Sequence, residues 1–237
     1  MIDLSQLSPM MQHYMETKKE YPDCVLFYRL GDFYEMFFDD ALTVSKELEI
    51  TLTGKDCGLS ERAPMCGVPF HALDSYLYRL VQKGYKVAIA EQMEDPRQAK
   101  GLVKREVIRV VTPGTITSSQ VLDETKNNYL MGIVYMDGIY GISTADISTG
   151  DFMVTEVDSD RELFDEINKF SPSEIICNNA FYMSGVDMDE LKNRYQVVIS
   201  ALDSRFFGEE SCRRILMEHF KVGALVGLGL EDYATGI

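Results

Sequence analysis

The chain has 237 residues, 46% hydrophobic and 26% charged, which is too apolar to stay disordered and long enough to bury a core. It carries 38 Asp and Glu against 23 Lys and Arg, a formal net charge of −15, and on average this lacks the basic balance of a general nucleic-acid binder. The acidity is uneven: residues 1–112 hold 14 basic and 17 acidic side chains, net −3, while residues 113–237 hold 9 and 21, net −12.

Ser8-Pro9 reads as a helix start, a capping hydroxyl followed by proline at the first helical position. That helix runs to about Tyr21, before Pro22. Cys24 to Tyr28 is a short apolar run expected as a buried strand. Gly31-Asp32 breaks it. Phe37, Ala41, Val44 and Leu48 then recur at helical spacing. Ile50 to Thr53 is a strand candidate, residues 54–64 an exposed loop, and Met65 to Phe70 irregular, punctuated by Gly67 and Pro69. A helix through Leu73, Leu77 and Leu80 ends near Gly84. Lys86–Ala90 and Glu106–Val111 are strand candidates, and Thr112-Pro113-Gly114-Thr115 has the composition of a type II turn. Residues 116–128 are polar, as in a linker. Tyr129–Tyr135 and Ile139–Ile147 form two strands of a hairpin at Asp137-Gly138. Asp151–Val157 is a third strand. Helices at 160–170, 188–194 and 209–220 alternate with strands at 174–177 and 197–200. The expectation is α/β, two domains, each a mixed sheet with packed helices.

Familiar chemistry is scarce. The five cysteines (Cys24, Cys57, Cys66, Cys177, Cys212) form no C-x-x-C pair, which argues against zinc and a disulfide framework. His13, His71 and His219 lie far apart. There is no G-x-x-x-x-G-K-[ST], no dinucleotide fingerprint and no G-x-S-x-G. No secretory signal and no apolar run of about 18 residues is present, so a cytoplasmic protein is expected.

The unusual segment is Gly31 to Ala41. In one reading Asp32 caps a helix, Glu35 closes a capping box, and Phe33 and Tyr34 simply pack. In the other, Phe33 is an exposed apolar wedge at a strand-to-helix turn, with Glu35 as a polar probe beside it. Proteins that kink DNA insert such side chains between base steps, and destabilised steps open at lower cost. A second feature is basic: Arg97, Lys100, Lys104, Arg105 and Arg109 stand against only Glu106 within residues 97–109, a local net of +4. A solvated face would explain that run equally well.

Ordered segments carry a resemblance. They are Ser8-Pro9-Met10-Met11-Gln12-His13-Tyr14, Phe27 through Phe37, Pro64 through Ala72, Val87 through Met93, and Val110 through Thr115. Together they resemble the N-terminal part of the bacterial MutS family of DNA mismatch-recognition proteins. Residues 129–237 resemble that family's connector domain, most clearly at Asp146-Ile147-Ser148-Thr149-Gly150.

The resemblance implies a mismatch-recognition domain at 1–115, a linker at 116–128 and a connector domain at 129–237, ribonuclease-H-like and truncated at its C-terminus. It implies that Phe33 stacks into mismatched double-stranded DNA at a mispaired or unpaired base, from the minor-groove side, while Glu35 hydrogen-bonds to that base. A proton on the carboxylate or the base would make that bond sensitive to pH. Lys55, Arg62, Lys104, Arg105 and Arg109 are candidate phosphate contacts, and Met65 a candidate support for the wedge. The connector would relay to the remaining parts and meet a MutL-type partner. Full-length members form homodimers and use ATP and Mg. This fragment is expected to hold no cofactor, to lack the ATPase and not to be an enzyme. Two alternatives stay open: a metal-dependent nuclease on the second domain, with Asp146 as its carboxylate, and a protein-interaction module in which Phe33 is packed. No membrane association is expected.

Overall fold

The computed structural model describes residues 4–94, 101–117 and 126–237. Arg97 and Lys100 of the basic stretch, and most of the expected linker, lie outside the described residues. The chain divides into two compact units at Thr112/Pro113.

The first unit contains α1 (Pro9–Glu20), β1 (Cys24–Leu30), β2 (Phe33–Phe37), α2 (Phe38–Leu48), β3 (Thr53–Lys55), β4 (Ala63–Pro69), α3 (Leu73–Val81), β5 (Lys86–Gln92) and β6 (Arg105–Val111). Its sheet runs β3-β4-β2-β1-β5-β6, with β1 and β5 parallel and every other pair antiparallel. Successive strand residues point to opposite faces. Leu26, Tyr28, Phe37, Ala88 and Ala90 pack with Met11 and Tyr14 of α1 on one face. Phe27, Met36, Cys66, Val68 and Ile89 are buried on the other, where α2 lies against β4 and α3 against β5.

One side chain ties three elements together. Asp40, in the first turn of α2, is buried. Its Oδ2 accepts the Leu26 N–H at 3.0 Å and the Tyr14 hydroxyl at 3.1 Å, and its Oδ1 pairs with Lys18 Nζ at 2.9 Å. Burial pushes the Tyr14 pKa well above its ordinary value, and the Asp40 charge adds to that.

Four expectations are corrected here. Residues 33–37 form a strand, not the start of a helix. Tyr34 and Met36 are buried on one face while Phe33 and Glu35 are more exposed on the other, a period of two that a run apolar on both faces conceals. The Asp32/Glu35 capping box therefore does not form. Ser159 does act as an N-cap: its Oγ accepts the Glu162 N–H at 3.4 Å and donates to the Glu162 carboxylate at 2.9 Å. Residues 63–69, expected as the end of an exposed loop and an irregular stretch from Met65, form β4 inside the sheet between β2 and β3. Pro69 sits at its last position, where a missing N–H is tolerated. The Thr112–Thr115 turn is a 3-10 turn at Pro113–Thr115, and Gly114 lacks the positive φ of a type II turn. Gly114 N–H donates to Glu174 Oε2 at 3.1 Å, so the turn packs with the second unit. Ser8 precedes Pro9 as expected, but its side chain makes no capping bond.

The second unit contains β7 (Tyr129–Met136), β8 (Ile139–Asp146), β9 (Asp151–Val157), α4 (Asp160–Phe170), β10 (Glu174–Cys177), α5 (Asn179–Tyr182), α6 (Met188–Tyr195), β11 (Val198–Ala201) and α7 (Glu209–Phe220). The sheet order is β11-β10-β7-β8-β9, antiparallel across β7-β8-β9 and parallel across β7-β10-β11. Asp137 and Gly138 both have positive φ, the backbone a two-residue hairpin turn requires. Met131, Ile133, Ile142 and Ile175 bury one face against Leu163, Ile167, Phe181 and Leu191 of α4–α6.

Asp146 ends β8 and is buried. Its Oδ1 accepts the Ser148 N–H at 2.8 Å, the Ser148 hydroxyl at 2.6 Å and the Thr149 N–H at 3.4 Å, and its Oδ2 accepts the Asn128 N–H at 3.0 Å. Burial opposes its charge, but these bonds hold its pKa below the ordinary aspartate value. A lowered folded pKa gives stability that is present above the unfolded pKa and lost as pH falls through the folded one. Asp146→Asn should therefore cost about 1–2 kcal/mol at pH 7 and show a smaller further loss below about pH 4 than the parent chain. Urea denaturation at pH 7 and pH 3 checks this; equal stability at pH 7 contradicts it.

Candidate nucleic-acid interface

The candidate site is built on the β1–β2 hairpin. Gly31 has φ +59°, a left-handed conformation that glycine adopts without strain. Its N–H donates to Gln92 Oε1 at 2.9 Å, and its carbonyl accepts from Arg29 Nε. Arg105 Nε donates to the Arg29 carbonyl at 2.7 Å, and the Asp32 carbonyl accepts the Phe70 N–H at 2.9 Å. The Arg29 guanidinium lies 4.1 Å from the Phe70 ring centroid, and its Nη1 lies 3.4 Å from Glu91 Oε2. Glu91 also accepts the Tyr34 hydroxyl at 2.6 Å; burial, with Glu91 adding, pushes the Tyr34 pKa up to about 12. The turn is thus held from both sides by side chains of β1, β5 and β6.

Phe33 is the first residue after that turn. It is 46% exposed, whereas Phe27 and Phe37 are fully buried. Burying such a ring would stabilise the fold by about 1.5–3 kcal/mol, a gain this position forgoes. Glu35 lies two residues on, so its side chain shares a face with Phe33. Gly67 lies directly across from it. A Cβ there would meet the Tyr34 carbonyl at 3.3 Å and Glu35 Cγ at 3.5 Å, so glycine keeps the carboxylate's surroundings clear. Lys55 Nζ pairs with Glu35 Oε2 at 2.5 Å.

The remaining candidates divide. Lys104 precedes β6 at the hairpin end of the sheet, since its carbonyl accepts the Met93 N–H at 2.9 Å and Arg105 pairs with Gln92. It is exposed and ion-paired to Glu106 at 2.6 Å, which raises its pKa. Arg62 is exposed on the β3–β4 connection, with Nε 3.2 Å from Asp56. Arg109 pairs with Ile89 and reaches toward Asp74 of α3 at 4.0 Å, on the face away from Phe33. Arg105, expected as a phosphate contact, turns its guanidinium to the protein's own carbonyls. It is only 7% exposed, donates to the Arg29 and Val103 carbonyls at 2.7 Å each, and lies 5.1 Å from the Tyr28 ring centroid. Met65 pairs with Phe37 and packs against the core that includes α1, on the sheet face Phe33 shares, while Pro69 is the residue across from Phe33. Sequence reasoning missed Arg29 and Gln92 as the mount of the hairpin. The available signal was a polar residue within the last two positions of each strand, after an apolar stretch.

The two units define an α/β protein of two mixed sheets, the first displaying an exposed aromatic and a carboxylate on a braced hairpin. Residues 8–120 match the family model described as MutS domain I, and residues 128–236 match that described as MutS domain II. The chain belongs to the MutS family. It is 62% identical to the DNA mismatch repair protein MutS of Lachnoclostridium phytofermentans over 234 residues, covering 99% of this chain and 25% of that protein. Identity to the DNA mismatch repair protein MutS of Acetivibrio thermocellus is 57%, over 92% of this chain and 25% of that protein. For the Ruminiclostridium cellulolyticum protein of the same name it is 53%, over 99% and 27%. The chain thus spans about a quarter of the length of the curated relatives it matches.

Proposed function

We propose that this chain reads mispaired or unpaired bases in double-stranded DNA as part of a longer mismatch-repair protein. Phe33 enters the base stack from the minor groove, and Glu35 hydrogen-bonds to the base it displaces. The observation that carries this reading is the exposed Phe33 ring on a hairpin braced by Gln92, Arg29 and Arg105. A wedge must be stiff, because unstacking a step costs a few kcal/mol and a mobile ring would lose entropy in addition. The exposure of Phe33 favours this over a packed, purely structural aromatic. A carboxylate at Glu35 adds no attraction to phosphates, so it supplies discrimination rather than affinity.

Among the candidate phosphate contacts, Lys104 and Arg62 keep exposed side chains suited to the role. In the full-length protein, Lys104→Ala should weaken binding to all duplexes alike and reduce the slope of log K against log salt by about one. An unchanged slope removes Lys104 from the interface.

The second unit is proposed as the connector that relays to the rest of the protein and meets a MutL-type partner. Its strand order, with three antiparallel strands followed by two parallel ones, supports a ribonuclease-H-like reading. Asp146 accepts four hydrogen bonds from its own turn and its neighbour Asn128, which argues against its use as a metal ligand. Homodimerisation and the use of ATP with Mg are proposed for the remainder of the full-length protein, in the cytoplasm. The residues of this chain do not fit that cofactor: the sequence has no phosphate-binding loop of the G-x-x-x-x-G-K-[ST] type, and among the described residues no His, Cys, Asp and Glu cluster could hold a metal. Among the described residues no helix is long and apolar enough to cross a membrane. The reading is tested by comparing binding of mispaired and fully paired duplexes by the full-length protein and its Phe33→Ala variant.

A further inference from the structure

We propose that Lys55 is a positioning residue for Glu35: it grips one carboxylate oxygen and leaves the other for the displaced base, so it serves discrimination rather than phosphate binding. This rests on the reading of Phe33 and Glu35 given above.

Lys55 comes from the edge strand β3, and Glu35 from β2, with β4 between them. On β4, Met65 lies on the same face between the partners of these two residues, and the partners themselves are small. Lys55 pairs with Ala63, and Glu35 pairs with Gly67. The two long side chains therefore meet above the sheet. Lys55 Nζ lies 2.5 Å from Glu35 Oε2 and 5.6 Å from the centroid of the Phe37 ring beneath. Among the described residues, Oε1 accepts no hydrogen bond. The pair is mostly covered, with 33% of the Lys55 side chain and 15% of the Glu35 side chain exposed.

A lysine that served phosphate would extend into water. This one folds inward along the sheet. The geometry has two consequences for recognition. It fixes the carboxylate in one orientation, so the entropy of ordering it is met before DNA arrives. It also makes the carboxylate and its partner neutral as a unit, which lowers the repulsion Glu35 would meet among phosphates. Both effects act at the displaced base. Neither depends on the number of phosphates contacted.

The test is a double-mutant cycle in the full-length protein, with duplexes that differ by one mispair and binding read at several salt concentrations. Lys55→Met should lower the preference for the mispaired duplex about three- to tenfold, the scale of one partly covered charge-assisted bond, with the salt slope unchanged. The same substitution in a Glu35→Gln background should change the preference little. Lys55→Arg should keep most of it, and Lys55→Gln gives the same reading if the methionine variant folds poorly. A salt slope reduced by about one with preference intact would make Lys55 a phosphate contact and overturn the proposal. Equal losses in both Glu35 backgrounds would overturn it as well. Phe33→Ala separates the two levels. If that variant keeps mispair preference, the wedge reading itself fails; if it loses preference while Lys55 and Glu35 show no coupling, only this inference fails.

Discussion

Replacing Asp40 with alanine should destabilise the chain by about 3 kcal/mol. The side chain accepts from a strand backbone N–H on β1 and from a tyrosine hydroxyl and a lysine on α1. Removing it strands the fully buried Leu26 N–H and leaves the buried Tyr14 hydroxyl with only its longer bonds to the Phe37 backbone, at 3.3 and 3.4 Å. Each loss is worth about 1–3 kcal/mol. Lys18 adds less, because a quarter of its side chain reaches solvent and water can replace the partner. Asp40→Asn keeps one acceptor and should cost distinctly less. Urea unfolding of the chain measures both. A loss under about 0.5 kcal/mol for Asp40→Ala would mean that the network is incidental to the fold.

Phe33→Ala should leave stability within about 0.5 kcal/mol, because an exposed ring contributes little to the core. Its effect falls on recognition. Base–aromatic stacking is worth about 1–3 kcal/mol per base by alanine substitution, so mispair preference should fall roughly tenfold to a hundredfold. Binding to a fully paired duplex should change much less, since phosphate contacts dominate it. Equal losses on both duplexes would assign Phe33 to general affinity. Circular dichroism on the variant separates lost recognition from lost structure.

The legible parts of the fold were those with local signals. Asp137-Gly138 marks its hairpin through backbone requirements of two adjacent residues, and the helix at 160–170 carries both its cap and its periodicity within one segment. The failures have a common physical cause. β2 reads Phe-Tyr-Glu-Met-Phe, where residues of both faces are apolar and the alternation shows only through burial. β4 contains Gly67 and Pro69, ordinarily strand breakers. They persist because one clears space for Glu35 and the other ends the strand. The site follows the same division. Phe33 and Glu35 were identifiable through the family resemblance, but the exposure that gives Phe33 its role depends on the hairpin's placement. The brace was beyond local reading: Gly31 meets Gln92 and Arg29 meets Arg105 across separations of 61 and 76 residues. Arg105 shows the hazard, because a basic residue in a basic run reads as surface yet is held inside by two carbonyls. The charge balance gained meaning in the same way. The net −12 belongs to residues 113–237, while the hairpin sits in a half of net −3.

The most direct measurement of the central claim follows a fluorescent base analogue that brightens on unstacking, placed beside a single mispair. The full-length protein should raise its emission on the mispaired duplex and not on the paired one, and Phe33→Ala should abolish the rise while still binding DNA. An equal rise with Phe33→Ala would contradict insertion of the ring.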